Sequence, residues 1–167
     1  METPTDRKPE ICNCLALRQA ARHVTQFYDR NLAEVGLRTT QYSILAKLNR
    51  HGPLTIGALA DDLVMDRTTL GRNIKPLERD GLIVIEAGRD DRRSRQLQVT
   101  EAGRHRLQAA GERWARAQAA FEAGFGHDRT MEMRVMMRAL ADSVFDDADT
   151  ASPPPERPAG EQTRHRG

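Results

Sequence analysis

The sequence predicts a mainly α chain carrying one small β-hairpin, on three observations. Apolar residues recur at helical spacing through residues 11–35, 56–63, 66–79, 104–123 and 128–146. Two short strand-like runs, Leu82–Ile85 and Gln96–Thr100, flank an arginine-rich tip at residues 88–95. The chain has 167 residues, 38% of them hydrophobic and 30% charged, which suits one folded domain with a core.

The middle of the chain is the most specific part. Thr55 is suited to cap a helix, because its hydroxyl can accept from an unpaired first-turn amide, and Ile56, Leu59, Ala60 and Leu63 then share one apolar stripe. After Val64 and Met65, Asp66 is the next N-cap, and Leu70, Ile74 and Leu77 recur at i, i+4, i+7 and face inward. With Leu70 at the inner pole and a turn of about 100° per residue, Thr68, Arg72, Lys75 and Arg79 gather near the outer pole. Thr69 lies at one flank, and Arg67 and Asn73 fall nearer the buried edge. Pro76 withholds an N–H from the Arg72 carbonyl and is a place where the helix can bend.

Arginine bonds guanine in two places, threonine touches a thymine methyl or a phosphate, and lysine neutralises a phosphate, so this outer face suits a DNA major groove. An isolated stripe of this kind also serves as ordinary solvated surface. The hairpin decides between the two. Gly81 ends the helix, and the tip GRDDRRSR sets Arg89, Arg92, Arg93 and Arg95 against Asp90 and Asp91, a composition for phosphates or a minor groove. Helix, turn, second helix and arginine-tipped hairpin together describe a winged helix-turn-helix. The expected contacts with double-stranded DNA are Thr55, Arg67, Thr68, Thr69, Arg72, Asn73, Lys75, Arg92, Arg93 and Arg95.

Net charge is +2, so attraction to nucleic acid rests on distribution rather than excess. Positive charge concentrates in residues 67–106, whereas residues 127–149 are acidic. Residues 11–35 carry two adjacent apolar stripes, Leu17/Ala20/Val24/Phe27 and Ile11/Cys14/Ala21/Tyr28/Leu32. A helix of roughly 25 residues, about 37 Å long, outruns a compact winged helix, and a second copy of the chain is the simplest cover. In the C-terminal helices, Leu107, Trp114 and Phe121 recur by sevens, and Met133, Met136, Met137, Leu140 and Val144 form a second stripe. The expected organisation is a flexible N-terminus (1–9), a helical dimerisation region (10–35 and 104–146), a winged helix-turn-helix DNA-binding domain (36–103) and a disordered Pro-rich tail (147–167). A homodimer setting two recognition helices about 34 Å apart would read a palindrome.

LERDGLIVIEAGRDDRRSRQLQVTEAGR resembles the end of the recognition helix, the wing and the return strand of the MarR family of bacterial transcription regulators, with Asp91, Arg93, Leu97, Thr100 and Gly103 at positions of its wing pattern. GLRTTQYSILAKLNRHGPLTIGALADDL is similar to that family's second and third helices, and the resemblance extends over residues 11–145. It implies a dimer on a palindromic operator, more often a repressor, released by a small ligand or an oxidant.

Two forms of release follow from it. CLALRQAARHVTQFY resembles the start of the organic-hydroperoxide-sensing branch, with Cys14 at the reactive thiol and Tyr28 at one supporting tyrosine; Thr39 stands where the second would be, with Tyr42 three residues on. Arg18, one turn from Cys14, is placed either to favour its thiolate or to bind a ligand carboxylate. Cys12 and Cys14, if both helical, point about 200° apart and do not pair with each other or share a metal. The other form is a small-molecule effector, an aromatic or phenolic acid, for which Arg18, Arg22, His23, Tyr28 and Tyr42 supply cations beside aromatic rings.

Other classes find less support. His23, His51, His105, His127 and His165 are dispersed, and the chain has no glycine-rich phosphate loop, G-x-S-x-G or C-x-x-C, so no catalytic residues, cofactor or metal are expected. No apolar run approaches the roughly 20 residues of a membrane span. METPTDRKPE lacks the apolar core of a signal peptide, so a cytoplasmic protein is expected. A winged helix used only for protein contacts is the rival of another class.

Overall fold

The computed structural model describes residues 12–88 and 93–143. The expected flexible N-terminus, the disordered tail, Arg89 and Arg92 lie outside them. The chain divides after Gly126 into two compact units, the first holding everything through the fifth helix and the second holding the sixth.

In the first unit, α1 spans Asn13–Leu32. Cys12 stands just outside it in extended conformation, its Sγ accepting from the Leu15 amide at 3.4 Å. The helical rotation that sets Cys12 and Cys14 apart therefore does not apply to Cys12. Residues 12–23 are exposed throughout, whereas Tyr28 and Leu32 are buried. A 3-10 turn at Ala33–Val35 leads to α2, Thr39–His51. Asp29 fixes the start of α2: its Oδ1 accepts from both the amide and the hydroxyl of Thr39, each at 2.7 Å.

Strand β1, Leu54–Thr55, precedes α3, Ile56–Asp62, which Thr55 caps by accepting from the Ala58 amide at 3.1 Å. Val64 makes the turn into α4 with a left-handed backbone, φ 51°. Helix α4, Arg67–Arg79, runs unbroken through Pro76. It ends as expected at Gly81, φ 69°, with Leu82 N–H bonded to the Leu77 carbonyl and Gly81 N–H to that of Glu78. The hairpin is β2, Ile83–Ala87, and β3, Arg95–Val99.

The sheet has three antiparallel strands in the order β1-β3-β2, with Leu97 opposite both Leu54 and Ile85. A helical fold with a small wing is thus what forms, and β1 is an addition to the expected hairpin. Its two residues are too few to show alternation, and they count as strand through pairing with β3 alone. Leu97 lies wholly buried in a core shared with Ile44, Leu45 and Leu48 of α2, Leu59 of α3, and Leu70, Ile74 and Leu77 of α4. Leu32 of α1 and Ala110 of α5 (Glu101–Phe125) join the same core. Gly103 in the first turn of α5 permits that approach, because a Cβ there would lie 2.7 Å from Val99 Cγ1 and closer still to the Leu82 carbonyl oxygen.

In the second unit, α6 spans His127–Ala141. It exposes Met131, Val135, Met136 and Met137. Among the described residues no helix is long and apolar enough to cross a membrane.

Candidate nucleic-acid interface

Helix α4 is built as an amphipathic rod. Leu70, Ile74 and Leu77 are buried to 3% exposure or less, while Thr68, Thr69, Arg72, Lys75 and Arg79 are exposed. Its start is set by Asp66, whose Oδ1 accepts from the Thr69 amide at 2.8 Å. Hydrogen bonds from Thr69 hold the Asp66 carboxyl below the usual carboxylate range. The capping anion also opposes the positive end of the helix dipole.

The expected contact residues divide by what already engages them. The side chains of Thr68, Arg72 and Lys75 stand on the outer face and pair with none of the described residues. Arg79 is ion-paired with Asp80, Nε to Oδ1 at 2.9 Å, with 75% of its side chain exposed. Asn73 turns back on its own helix, donating from Nδ2 to the Thr69 carbonyl at 2.9 Å. Thr55 spends its hydroxyl on the α3 cap. Arg67, the first residue of α4, lays its guanidinium over Gly57 of α3. On the wing, Arg93 and Arg95 are exposed and stand on the same strand side of the tip, Arg95 opening β3.

The residues proposed for an effector do not come together as one set. Arg18, Arg22 and His23 lie on the exposed half of α1. Tyr28 is ten residues on from Arg18, about 15 Å along the axis, and five on from His23, about 7.5 Å, and is 6% exposed. Its hydroxyl donates to Gln118 Oε1, and its ring centroid is 4.7 Å from that of Trp114. Tyr42 stacks on the same indole at 4.6 Å and 16°. Burial raises the Tyr42 pKa, so its phenol stays protonated. Trp114 is therefore the centre that joins the two tyrosines. Spacing by sevens placed it on an apolar stripe but did not reveal which rings it meets. Elsewhere an open cleft of about 720 Å³ lies between α1, the start of α2 and the end of α4, lined by Gln26, Arg30, Arg38, Gln41, Pro76 and Arg79. Cys14 is exposed.

A capped helix with a cationic outer face, braced by a shorter helix and flanked by a hairpin, defines a winged helix-turn-helix. The chain belongs to the MarR family, whose model matches residues 37–94. It is 33% identical over 109 residues to the transcriptional activatory protein BadR of Rhodopseudomonas palustris, covering 62% of each chain. It is 31% identical over 90 residues to the organic hydroperoxide resistance transcriptional regulator of Bacillus subtilis, covering 54% of this chain and 61% of that one. The matches thus span less than two thirds of either relative. Among solved structures, the M. tuberculosis transcriptional regulator MosR in complex with DNA is 36% identical, with a TM-score of 0.65 over 80% of this chain and 99% of that one.

Proposed function

We propose that the chain is a transcription regulator that binds palindromic double-stranded DNA as a homodimer, with α4 in the major groove and residues 88–95 on the backbone or in the minor groove. The observation that carries this reading is the outer face of α4, where the side chains of Thr68, Arg72 and Lys75 stand exposed, with no partner among the described residues, opposite Leu70, Ile74 and Leu77. The DNA-bound MosR structure supports it. Dimerisation is read from two apolar surfaces: the exposed half of α1, with Leu15 and Leu17, and the methionine face of α6. Repression is the mode the family resemblance favours, although BadR is by name an activator; in vitro transcription from the operator decides the sign. The expected effector is an aromatic or phenolic acid, for which the rings of Tyr28 and Tyr42 around Trp114 are the expected site, apart from the cations of α1.

Salt titration tests the main claim. Affinity for duplex DNA should fall steeply between about 50 and 200 mM salt through counterion release. A flat response would instead favour a winged helix that contacts proteins.

A second reading, thiol-based control through Cys14, is favoured by the exposure of that thiol and by the name of one relative, an organic hydroperoxide resistance regulator. Peroxide should then release DNA from the wild type and leave Cys14→Ser bound; equal responses of the two proteins remove this reading.

A further inference from the structure

Gly57 occupies the second position of α3, where its backbone has no left-handed torsion and glycine is a poorer helix former than alanine. The reason for glycine there is found on α4. A Cβ at residue 57 would lie 3.2 Å from Nη2 of Arg67, 3.7 Å from its Cζ and 3.8 Å from its Nε. Three atoms of one guanidinium thus rest over the bare Cα. Gly71, also within a helix, has nothing within 4 Å of the corresponding point. Gly36 also meets a guanidinium nitrogen, Arg106 Nη1 at 3.2 Å, but its left-handed backbone, φ 68°, already favours glycine, whereas residue 57 carries its guanidinium contact without that backbone reason.

We propose that Gly57 is a positioning residue for DNA binding: its missing side chain forms the seat that holds the Arg67 guanidinium across the junction of α3 and α4, turned toward a phosphate beside the major groove. This rests on the reading of α4 as the DNA-contacting helix. The physical reasoning is preorganisation. An exposed arginine loses rotamer freedom when it engages a phosphate, and a planar group already laid on a flat surface loses less. Arg67 lies toward the edge of the outer face rather than at its pole, which suits backbone contact better than base reading. A side chain at residue 57 fills the volume the guanidinium occupies and pushes it off the seat. The small contact made by alanine moves it by tenths of an ångström, whereas leucine removes the seat.

A double-mutant cycle on the full chain tests this, with a fluorescein-labelled mixed-sequence duplex as probe and affinity measured across a salt series. Arg67→Ala should weaken binding about tenfold and reduce the salt slope by about one. Gly57→Leu should reproduce both changes when Arg67 is present and add nothing when Arg67 is alanine. Gly57→Ala guards against misfolding: it should bind a few-fold more weakly while melting no lower than wild type. Wild-type binding by Gly57→Leu, or an equal loss in the Arg67→Ala background, overturns the proposal. An Arg67→Ala protein that binds normally overturns it too. The DNA-binding reading is judged separately, by Arg72→Ala and Lys75→Ala on the same probe.

Discussion

Thr100 ties its hydroxyl to Gly81: Oγ1 donates to the Gly81 carbonyl at 2.6 Å while, as the N-cap of α5, it accepts from the Gly103 amide at 3.0 Å. The end of α4 and the start of the long fifth helix are thereby joined through one side chain. The Thr100 amide adds a bond to the Leu82 carbonyl at 3.1 Å. Thr100→Val keeps the shape and removes both hydroxyl bonds. It should cost about 1–2 kcal/mol, the range for a lost helix cap, measured by urea unfolding. A change within error would show that the hydroxyl bonds are replaced by water.

Val64 predicts the opposite sign. A β-branched residue with φ 51° bears a backbone cost of about 1–2 kcal/mol, and its side chain is 87% exposed, so burial returns little. Val64→Asn should raise the melting temperature, since asparagine tolerates this conformation and loses no packing. A lower melting temperature would mean that Val64 is covered in the assembled protein.

The chain has one tryptophan, Trp114, and it stands between Tyr28 and Tyr42. Indole fluorescence therefore reports on the aromatic cluster without labelling. If an aromatic carboxylate enters there, salicylate used as a probe should quench or shift the emission saturably, and Tyr42→Ala should weaken that response. A linear, non-saturating change would be collisional quenching and would remove the cluster as an effector site. Trp114→Ala should itself cost about 3–5 kcal/mol, as for loss of a large packed ring.

Asp66 sets a pH dependence with a definite sign. Its folded-state pKa is lowered, chiefly by the side-chain hydrogen bond with Thr69. A carboxyl lowered on folding stabilises the protein fully above its unfolded value, near 4, and that contribution drains away as pH falls through the lowered folded value. Glu101, lowered by its hydrogen bond and ion pair with Arg104, acts in the same direction. Asp66→Asn keeps a cap without a titrating charge, so its melting temperature should fall less steeply than wild type below about pH 4. Parallel curves would assign the acid sensitivity to other carboxylates.

How much of this was legible beforehand follows from the range of the interactions. The α3–α4 pair was readable because Thr55 and Asp66 accept from amides, and Gly81 donates to a carbonyl, within one turn of themselves, and Leu70, Ile74 and Leu77 announce one buried face. Strand β1 was not, since Leu54 and Thr55 have no strand character apart from Leu97 and Gln96 across the ladder. Thr100 resembled the end of an alternating strand and proved to be the cap of α5, which begins three residues before the expected start at 104. The meeting of Tyr28 and Tyr42 on Trp114, and of Arg67 on Gly57, depends on how separate helices face each other. Periodicity gives the buried side of a helix but not the residue it meets.

Arg72 and Arg93 are expected to fail in different ways, and the difference separates reading a sequence from holding a duplex. Arg72 projects from the exposed pole of α4, clear of ion pairs among the described residues, so its guanidinium is available for a base edge. Arg93 is exposed on the wing, which is proposed to lie on the DNA backbone. Arg72→Ala should cost about 1–3 kcal/mol on the operator and much less on unrelated DNA, lowering the specificity ratio. Arg93→Ala should weaken both duplexes alike and reduce the salt slope by about one. The operator is first found by selection from random duplexes, and both variants are then titrated against it and a scrambled control. An unchanged ratio for Arg72→Ala would exclude base reading by that residue, and a loss confined to one base pair for Arg93→Ala would move the wing from the backbone into a groove.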